Sequence, residues 1–338
     1  MARLTIAEAL RDGLREEMTR DHRVFCIGED IGVPGGWGGA FTVTLGLEKD
    51  FPDRIIDTPI SENGFFGVAL GTALVGLRPV ADVQYGDFLF CAMDQIVNQI
   101  AKMRYMSGGK LTVPIVMRAP VGATGRSAQH AQNLESIFLS VPGIKIICPA
   151  TAYDAKGLLK AAIRDDNPVL MFEHKLLYGS KGARAESGAV DASSEIPEGD
   201  YVVPIGQGVV RRAGTDVTII GTLLMMHQAM IAAEQLAASG IHAEVIDPRS
   251  LVPFDWGLVE SSVAKTRRVV VVEEGPRTGG IGAEIVATVA ERMSDYLIAP
   301  PQRVASPDIP VPFSPPMENY YRPDVPRICQ AVRRVMDM

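Results

Sequence analysis

Strand-like and helix-like runs alternate along this chain, and that alternation restricts its architecture more than any other feature. The pattern predicts a helix over 5–20, a strand over 24–28, a glycine-rich loop (VPGGWGGAF), a short strand over 54–57 and a small-residue helix over 63–77. A strand over 80–84 and a helix over 92–106 follow, then strands in TVPIVMRAP and GIKIICP, a helix in DAKGLLKAAIRDD and a strand in PVLMFEHK. The strand runs are almost continuously apolar, as strands covered on both faces must be, so the expected form is a mostly parallel, doubly wound α/β sheet over 1–178.

From 179 to 200 the sequence becomes small, polar and aperiodic, which reads as an exposed linker. The alternation then resumes with a strand in DVTIIGT, a helix in MMHQAMIAAEQLAASG closed by Gly240, strands in IHAEVIDPRS and RRVVVVEE, and a helix in IGAEIVATVAERM. A second α/β domain over 201–338 is expected, and 338 residues are enough for two. The proline-rich stretch ASPDIPVPFSPPMENYYRP reads as an extended, irregular segment crossing a surface or an interface. No internal repeat is present.

Several function classes fall away. With 33 basic and 40 acidic residues the net charge is −7, so no positive field attracts nucleic acid or anionic lipid. The longest apolar stretch, 65–77, is shorter than the ~20 residues a membrane span needs, and the amphipathic N-terminus lacks the apolar core of a secretory signal. A cytoplasmic protein is expected. The four cysteines are widely spaced and read as reduced thiols. There is no P-loop, GxSxG elbow or HExxH, and GGIGAE lacks the third glycine of a dinucleotide fingerprint.

Glu62, in DTPISENGFFG, falls between a strand end and an apolar helix, at the sheet rim where α/β ligand sites form. Taken alone it also suits the first turn of a helix, where a carboxylate complements the helix dipole. His130, in GATGRSAQHAQ, follows two loop glycines and is either a titrating site residue or a plain surface histidine. His174 and Asp87 are weaker candidates, suited to polar duty at strand ends, and the Gly67/Gly71 face of the 63–77 helix suits either core packing or a subunit contact.

The segments IGEDIG, DTPISENGFFGVALG, GLRPVADVQYGDFLFCAMDQIVNQIAKMRYMSGG, VPIVMRAP, AQHAQ, YDAKGLLKAAIRDDNPV and IDPRSL run in order along the whole chain. Together they resemble the β subunit of thiamine-diphosphate-dependent 2-oxoacid dehydrogenases, a transketolase-like family with pyruvate, branched-chain and acetoin branches. The resemblance implies two α/β/α domains with mostly parallel sheets, a pyrimidine-binding domain followed by a transketolase C-terminal domain. It implies that the glutamate matching Glu62 hydrogen-bonds a ring nitrogen of the cofactor's aminopyrimidine, which requires a buried carboxyl with a raised pKa. Ile60, Gln84 and Phe88 match positions lining the pyrimidine pocket, and His130 matches the active-site histidine that meets the acyl and dithiolane groups. Ile115, Ala162, Ile163, Asp165 and Asn167 match a potassium site built largely from backbone oxygens.

Family members hold magnesium and diphosphate with a GDG motif and a downstream Asn, and this chain has no GDG. The resemblance therefore implies that an α subunit supplies the diphosphate and Mg²⁺ half of the site, in a heterotetramer of two α and two β chains, and that a lipoyl acyltransferase core takes the acyl group. The loop between Pro120 and Gln129 is about one residue shorter than in the pyruvate branch, and WGGAF and EHKLLYG lean towards the acetoin or branched-chain branches, whereas RYMSGG and the general pattern also suit pyruvate, so the substrate stays open among the three. Two other readings stand beside this one: the pyrimidine half of a split transketolase, and a scaffold subunit without catalysis.

Overall fold

In the computed structural model, residues 2–179 and 186–338 are described. β1 (Ala2–Leu4) leads into α1 (Ile6–Arg20), which starts at a capping box: the Glu8 amide donates to the Thr5 hydroxyl at 3.3 Å and the Thr5 amide donates to the Glu8 carboxylate at 2.9 Å. Next come β2 (Val24–Gly28), α2 (Leu47–Asp50), β3 (Ile55–Asp57), α3 (Glu62–Leu74) and β4 (Arg78–Asp82). The expected helix over 92–106 is compound: a 3-10 segment (Gly86–Ala92), a π segment (Asp94–Ile100) and only then α4 (Ala101–Met106). The first half closes with β5 (Val116–Val121), α5 (Glu135–Leu139), β6 (Lys145–Ile147), α6 (Ala152–Arg164) and β7 (Val169–His174).

The segment read as an exposed linker departs from that expectation in its described part. Within it β8 (Ser194–Ile196) pairs antiparallel with β1, Arg3 grips Asp191 at 2.9 Å, and Ala192 and Ile196 are buried. Small polar residues conceal such a strand from periodicity, because its partner is the chain's own first residues. The expected strand in IHAEVIDPRS also divides. β9 (Val209–Arg212), β10 (Val217–Gly221), α7 (Leu223–Ala237) and β11 (Ala243–Asp247) belong to a second sheet, whereas β12 (Ser250–Val252) crosses to the first, where it pairs antiparallel with β6.

The remaining elements are α8 (Trp256–Thr266), β13 (Val269–Pro276), α9 (Ile281–Met293), β14 (Gln302–Ser306), α10 (Pro315–Tyr321) and α11 (Val325–Met336). The proline-rich stretch is thus not wholly irregular. Pro315 and Pro316 sit in the first turn of α10, where the missing N–H has no helical partner in any case and the fixed φ favours the helix.

The first sheet has seven strands in the order β12-β6-β7-β5-β4-β2-β3, all parallel except β12; the second has five, β14-β13-β10-β11-β9, all parallel except β9. One apolar core joins α1 and α6 beneath the first sheet to α7 and α11 of the second half, so the two halves share buried surface. A second core fills the other face of the first sheet under α3 and the π segment, and a third lies under α8 and α9. Among the described residues no helix is long and apolar enough to cross a membrane, and Cys26, Cys148 and Cys329 are buried free thiols while Cys91 is exposed.

Candidate active site

β2, β3 and β4 end side by side at Gly28, Asp57 and Asp82, and the backbones approach so closely that a Cβ on Gly28 would lie 2.5 Å from the Asp82 carbonyl. The segments leaving these carboxyl ends make a cleft, in the position where open α/β sheets bind ligands. Glu29, Trp37, Gln84, Tyr85, Phe88 and His130 line it. Gln84, expected to line the pocket, does line the cleft, and its amide also holds the loop: its Oε1 accepts from the Ala40 amide at 2.7 Å and its Nε2 donates to the Glu29 carbonyl, leaving one N–H of that amide over. Gln84 thus clamps the glycine-rich loop to β4, and its backbone amide donates to Asp82 at 3.0 Å.

His130 stands edge-on to two rings, with its centroid 4.9 Å from Tyr85 and 5.2 Å from Phe88. The same loop begins at Gly122, where φ is +103° and a Cβ would lie 2.2 Å from His174 Nε2, so only glycine fits under that ring. His174 accepts from the Leu176 amide at Nδ1 (3.2 Å), leaving Nε2–H to donate to Glu274 at 2.8 Å. Burial pushes the Glu274 carboxyl up, but His174 and the Ala123 amide outweigh it and hold it below its ordinary value. His174 is therefore a structural strut, and Asp87 likewise receives Gln132 Nε2 at 2.6 Å.

Glu62 opens α3 and is only 9% exposed. Among the described residues no group donates a hydrogen bond to its carboxyl, and Glu62 does not itself line the cleft. Glu29 feels it: burial first, then Asp30, Glu62 and Asp57, push the Glu29 carboxyl above its ordinary value. Ile60 stands apart from the cleft, 76% exposed.

Ile115, Ala162, Ile163, Asp165 and Asn167 gather at the opposite, amino-terminal edge of β5 and β7. The Ile115 carbonyl accepts from the Val169 amide at 2.9 Å and the Ala162 carbonyl from the Asp165 amide at 3.2 Å. Burial raises the Asp165 carboxyl, but bonds from Lys145 and from Asn167 (2.8 and 2.9 Å) prevail and hold it below the usual range.

Behind the His130 loop, Glu135, Glu273 and Glu274 line a small polar cavity at the seam of the two halves. Burial pushes both Glu135 and Glu273 up to about 7. A carboxyl whose folded pKa is raised contributes stability below its ordinary pKa and loses it as pH rises through about 7. Glu135→Gln is accordingly expected to stabilise the protein at pH 8 by up to about 3 kcal/mol and to change little at pH 5. Denaturant unfolding at both pH values checks this; an equal shift at both would contradict it.

Residue patterns missed Glu29, Tyr85, Lys175 and this acidic seam. Glu29, Tyr85 and Lys175 each follow or end a predicted strand, a signal that could have flagged them. Glu273 and Glu274 also end a predicted strand, but nothing in the sequence joins them to Glu135, because the docking of the second half brings them together.

The sequence matches the transketolase pyrimidine binding domain over residues 2–181 and the transketolase C-terminal domain over 206–328. It is 44% identical, across 99% of its length and 98% of the relative's, to the β subunit of acetoin:2,6-dichlorophenolindophenol oxidoreductase of Cupriavidus necator. It is 42% identical to the 2-oxoisovalerate dehydrogenase β subunit and 41% identical to the pyruvate dehydrogenase E1 component β subunit of Bacillus subtilis, each across the full length of both chains. Among solved structures, an inactive β4 tetramer of a split-gene transketolase superposes with a TM-score of 0.78 at 24% identity, covering 99% of both chains, which shows the common fold. The chain belongs to the family of β subunits of the 2-oxoacid dehydrogenase E1 component and acetoin dehydrogenase, built from a transketolase pyrimidine-binding and a transketolase C-terminal domain.

Proposed function

We propose that this chain is the pyrimidine-holding β subunit of a thiamine-diphosphate-dependent dehydrogenase that decarboxylates a 2-oxo acid or cleaves acetoin and passes the acyl group to a lipoyl domain. The observation that carries the reading is Glu62: a largely buried carboxyl in the first turn of α3, without a protein donor among the described residues, and near enough to Glu29 of the aromatic cleft to push that carboxyl up. When protonated, such a carboxyl offers the O–H donor that an aminopyrimidine ring nitrogen needs. The surrounding Glu29, Asp30, Asp57 and Glu62 repel a diphosphate, in keeping with a partner α subunit that holds the diphosphate and Mg²⁺.

Thiamine diphosphate, when bound, supplies the electron sink for decarboxylation. Glu62 holds a proton against the pyrimidine, Phe88 and Tyr85 wall the cleft against water, and His130 exchanges a proton with the incoming acyl acceptor. Residues 1–178 carry the cofactor half-site and 201–338 serve assembly, in an α2β2 heterotetramer docked to an acyltransferase core. The carbonyls of Ile115, Ala162 and Ile163 with Asp165 and Asn167 suit a loosely held K⁺, since each carbonyl keeps a second lone pair. Identity of 41–44% to dehydrogenase subunits against 24% to the split transketolase favours the dehydrogenase reading.

The test is to tag the chain in its host and determine the masses that copurify. An equimolar second polypeptide is expected, the pair consuming pyruvate, 2-oxoisovalerate or acetoin only with thiamine diphosphate and Mg²⁺. A chain that purifies alone and binds the cofactor tightly would overturn the half-site reading.

A further inference from the structure

Lys175 lies on the turn just after β7 and is 1% exposed. Its Nζ donates to the His130 carbonyl and sits 5.3 Å from the centroid of Tyr85, the ring that meets the His130 imidazole edge-on. One side chain thus grips the backbone of His130 and the wall its ring leans on. We propose that Lys175 is a positioning residue, whose ammonium fixes where the His130 imidazole stands in the cleft; the inference rests on the role of His130 given above.

The other loop anchors leave a gap that Lys175 fills. Ala123 is held by Glu274 (2.7 Å) and Arg322 (3.0 Å), Gly125 by Glu318 (2.6 Å), Arg126 by Glu186 (2.6 Å) and Gln132 by Asp87 (2.6 Å). Between Arg126 and Gln132, among the described residues, Lys175 is the tether from the floor of the first domain. An ammonium is a costly way to fill a buried volume that methionine would fill, so its retention points to the bond it makes. The charged groups facing it are Asp87, Glu186 and Glu274, which favour its charge, and Arg126, which opposes it. Asp87 Oδ2 is buried without a hydrogen-bond partner among the described residues. Burial lowers the Lys175 ammonium to about 8 despite these carboxylates, so the grip weakens as pH rises past that value.

The test compares Lys175→Met and Lys175→Arg in the native assembly purified with its partner. Lys175→Met is expected to lower kcat by roughly 10–100-fold, the scale of a misplaced reacting group, with KM for the 2-oxo acid or acetoin within about twofold. Arginine keeps the charge and restores most of kcat. Wild-type turnover is expected to decline above pH about 8, while Lys175→Arg holds level. Independently of activity, amide exchange over residues 123–133 should rise roughly tenfold in Lys175→Met and return in Lys175→Arg. Unchanged exchange in Lys175→Met overturns the tether whatever the turnover does. If Lys175→Met does not fold, a level alkaline profile in wild type, or the same decline in Lys175→Arg, overturns it. A His130→Asn enzyme with full turnover would sink the role of His130 instead, and faster exchange in Lys175→Met would still support the tether.

Discussion

Glu62→Gln is expected to cut turnover by roughly a thousandfold or more while leaving folding and assembly intact. The amide has the volume of the carboxyl and occupies the same first turn of α3, so the fit of that buried position is kept. What the proposed role of Glu62 loses is the acidic O–H that faces the pyrimidine nitrogen. The site is built for that loss to matter: Glu62 is buried, no described protein group donates to it, and Glu29 is held in a more protonated state partly by its charge. Steady-state turnover with a saturating 2-oxo acid or acetoin, beside cofactor binding followed by near-ultraviolet circular dichroism, checks the prediction. Binding within about tenfold of wild type with turnover nearly abolished is the expected pattern. A Glu62→Gln or Glu62→Ala enzyme with normal turnover would overturn the assignment.

How much of this was legible beforehand depends on the range of the interaction concerned. β2 was readable to the residue from VFCIG, because a strand covered on both faces must be apolar throughout. Glu62 was legible from its place between β3 and α3, a relation between neighbours in sequence. The clamp made by Gln84 was not: its bonds reach back to Glu29 and Ala40, and nothing in QYGDF says that the amide ties down the glycine-rich loop. β8 was hidden because its partner, β1, lies about 190 residues away, and β12 because three residues of an apparent single strand leave for the other sheet. Local periodicity reports which face is buried, but not against what.

Arg118→Met is expected to destabilise the protein by about 3–5 kcal/mol, the cost of stranding buried charge. Arg118 projects from the middle of the first sheet and is fully buried between the strands on either side: it donates to both Glu173 oxygens at 2.8 and 2.6 Å and to Asp82 at 2.5 Å. Burial works against its charge, but Glu173 and Asp82 prevail and hold the guanidinium charged well above its ordinary range. Methionine fills the volume and removes the cation, leaving two buried carboxylates close together, with the Tyr178 hydroxyl, among the described side chains, still donating to Glu173. Denaturant unfolding gives the size of the effect. Adding Glu173→Gln to Arg118→Met should recover part of it, a non-additivity expected only of groups in one network. The damage also reaches the cleft, since the other oxygen of Asp82 receives the Gln84 amide, and Gln84 clamps the glycine-rich loop. A folded Arg118→Met protein should therefore bind the cofactor more weakly as well. Unfolding within about 1 kcal/mol of wild type would mean that the two carboxylates find protons or water at no cost, and that the arginine is not what holds the strand ends in place.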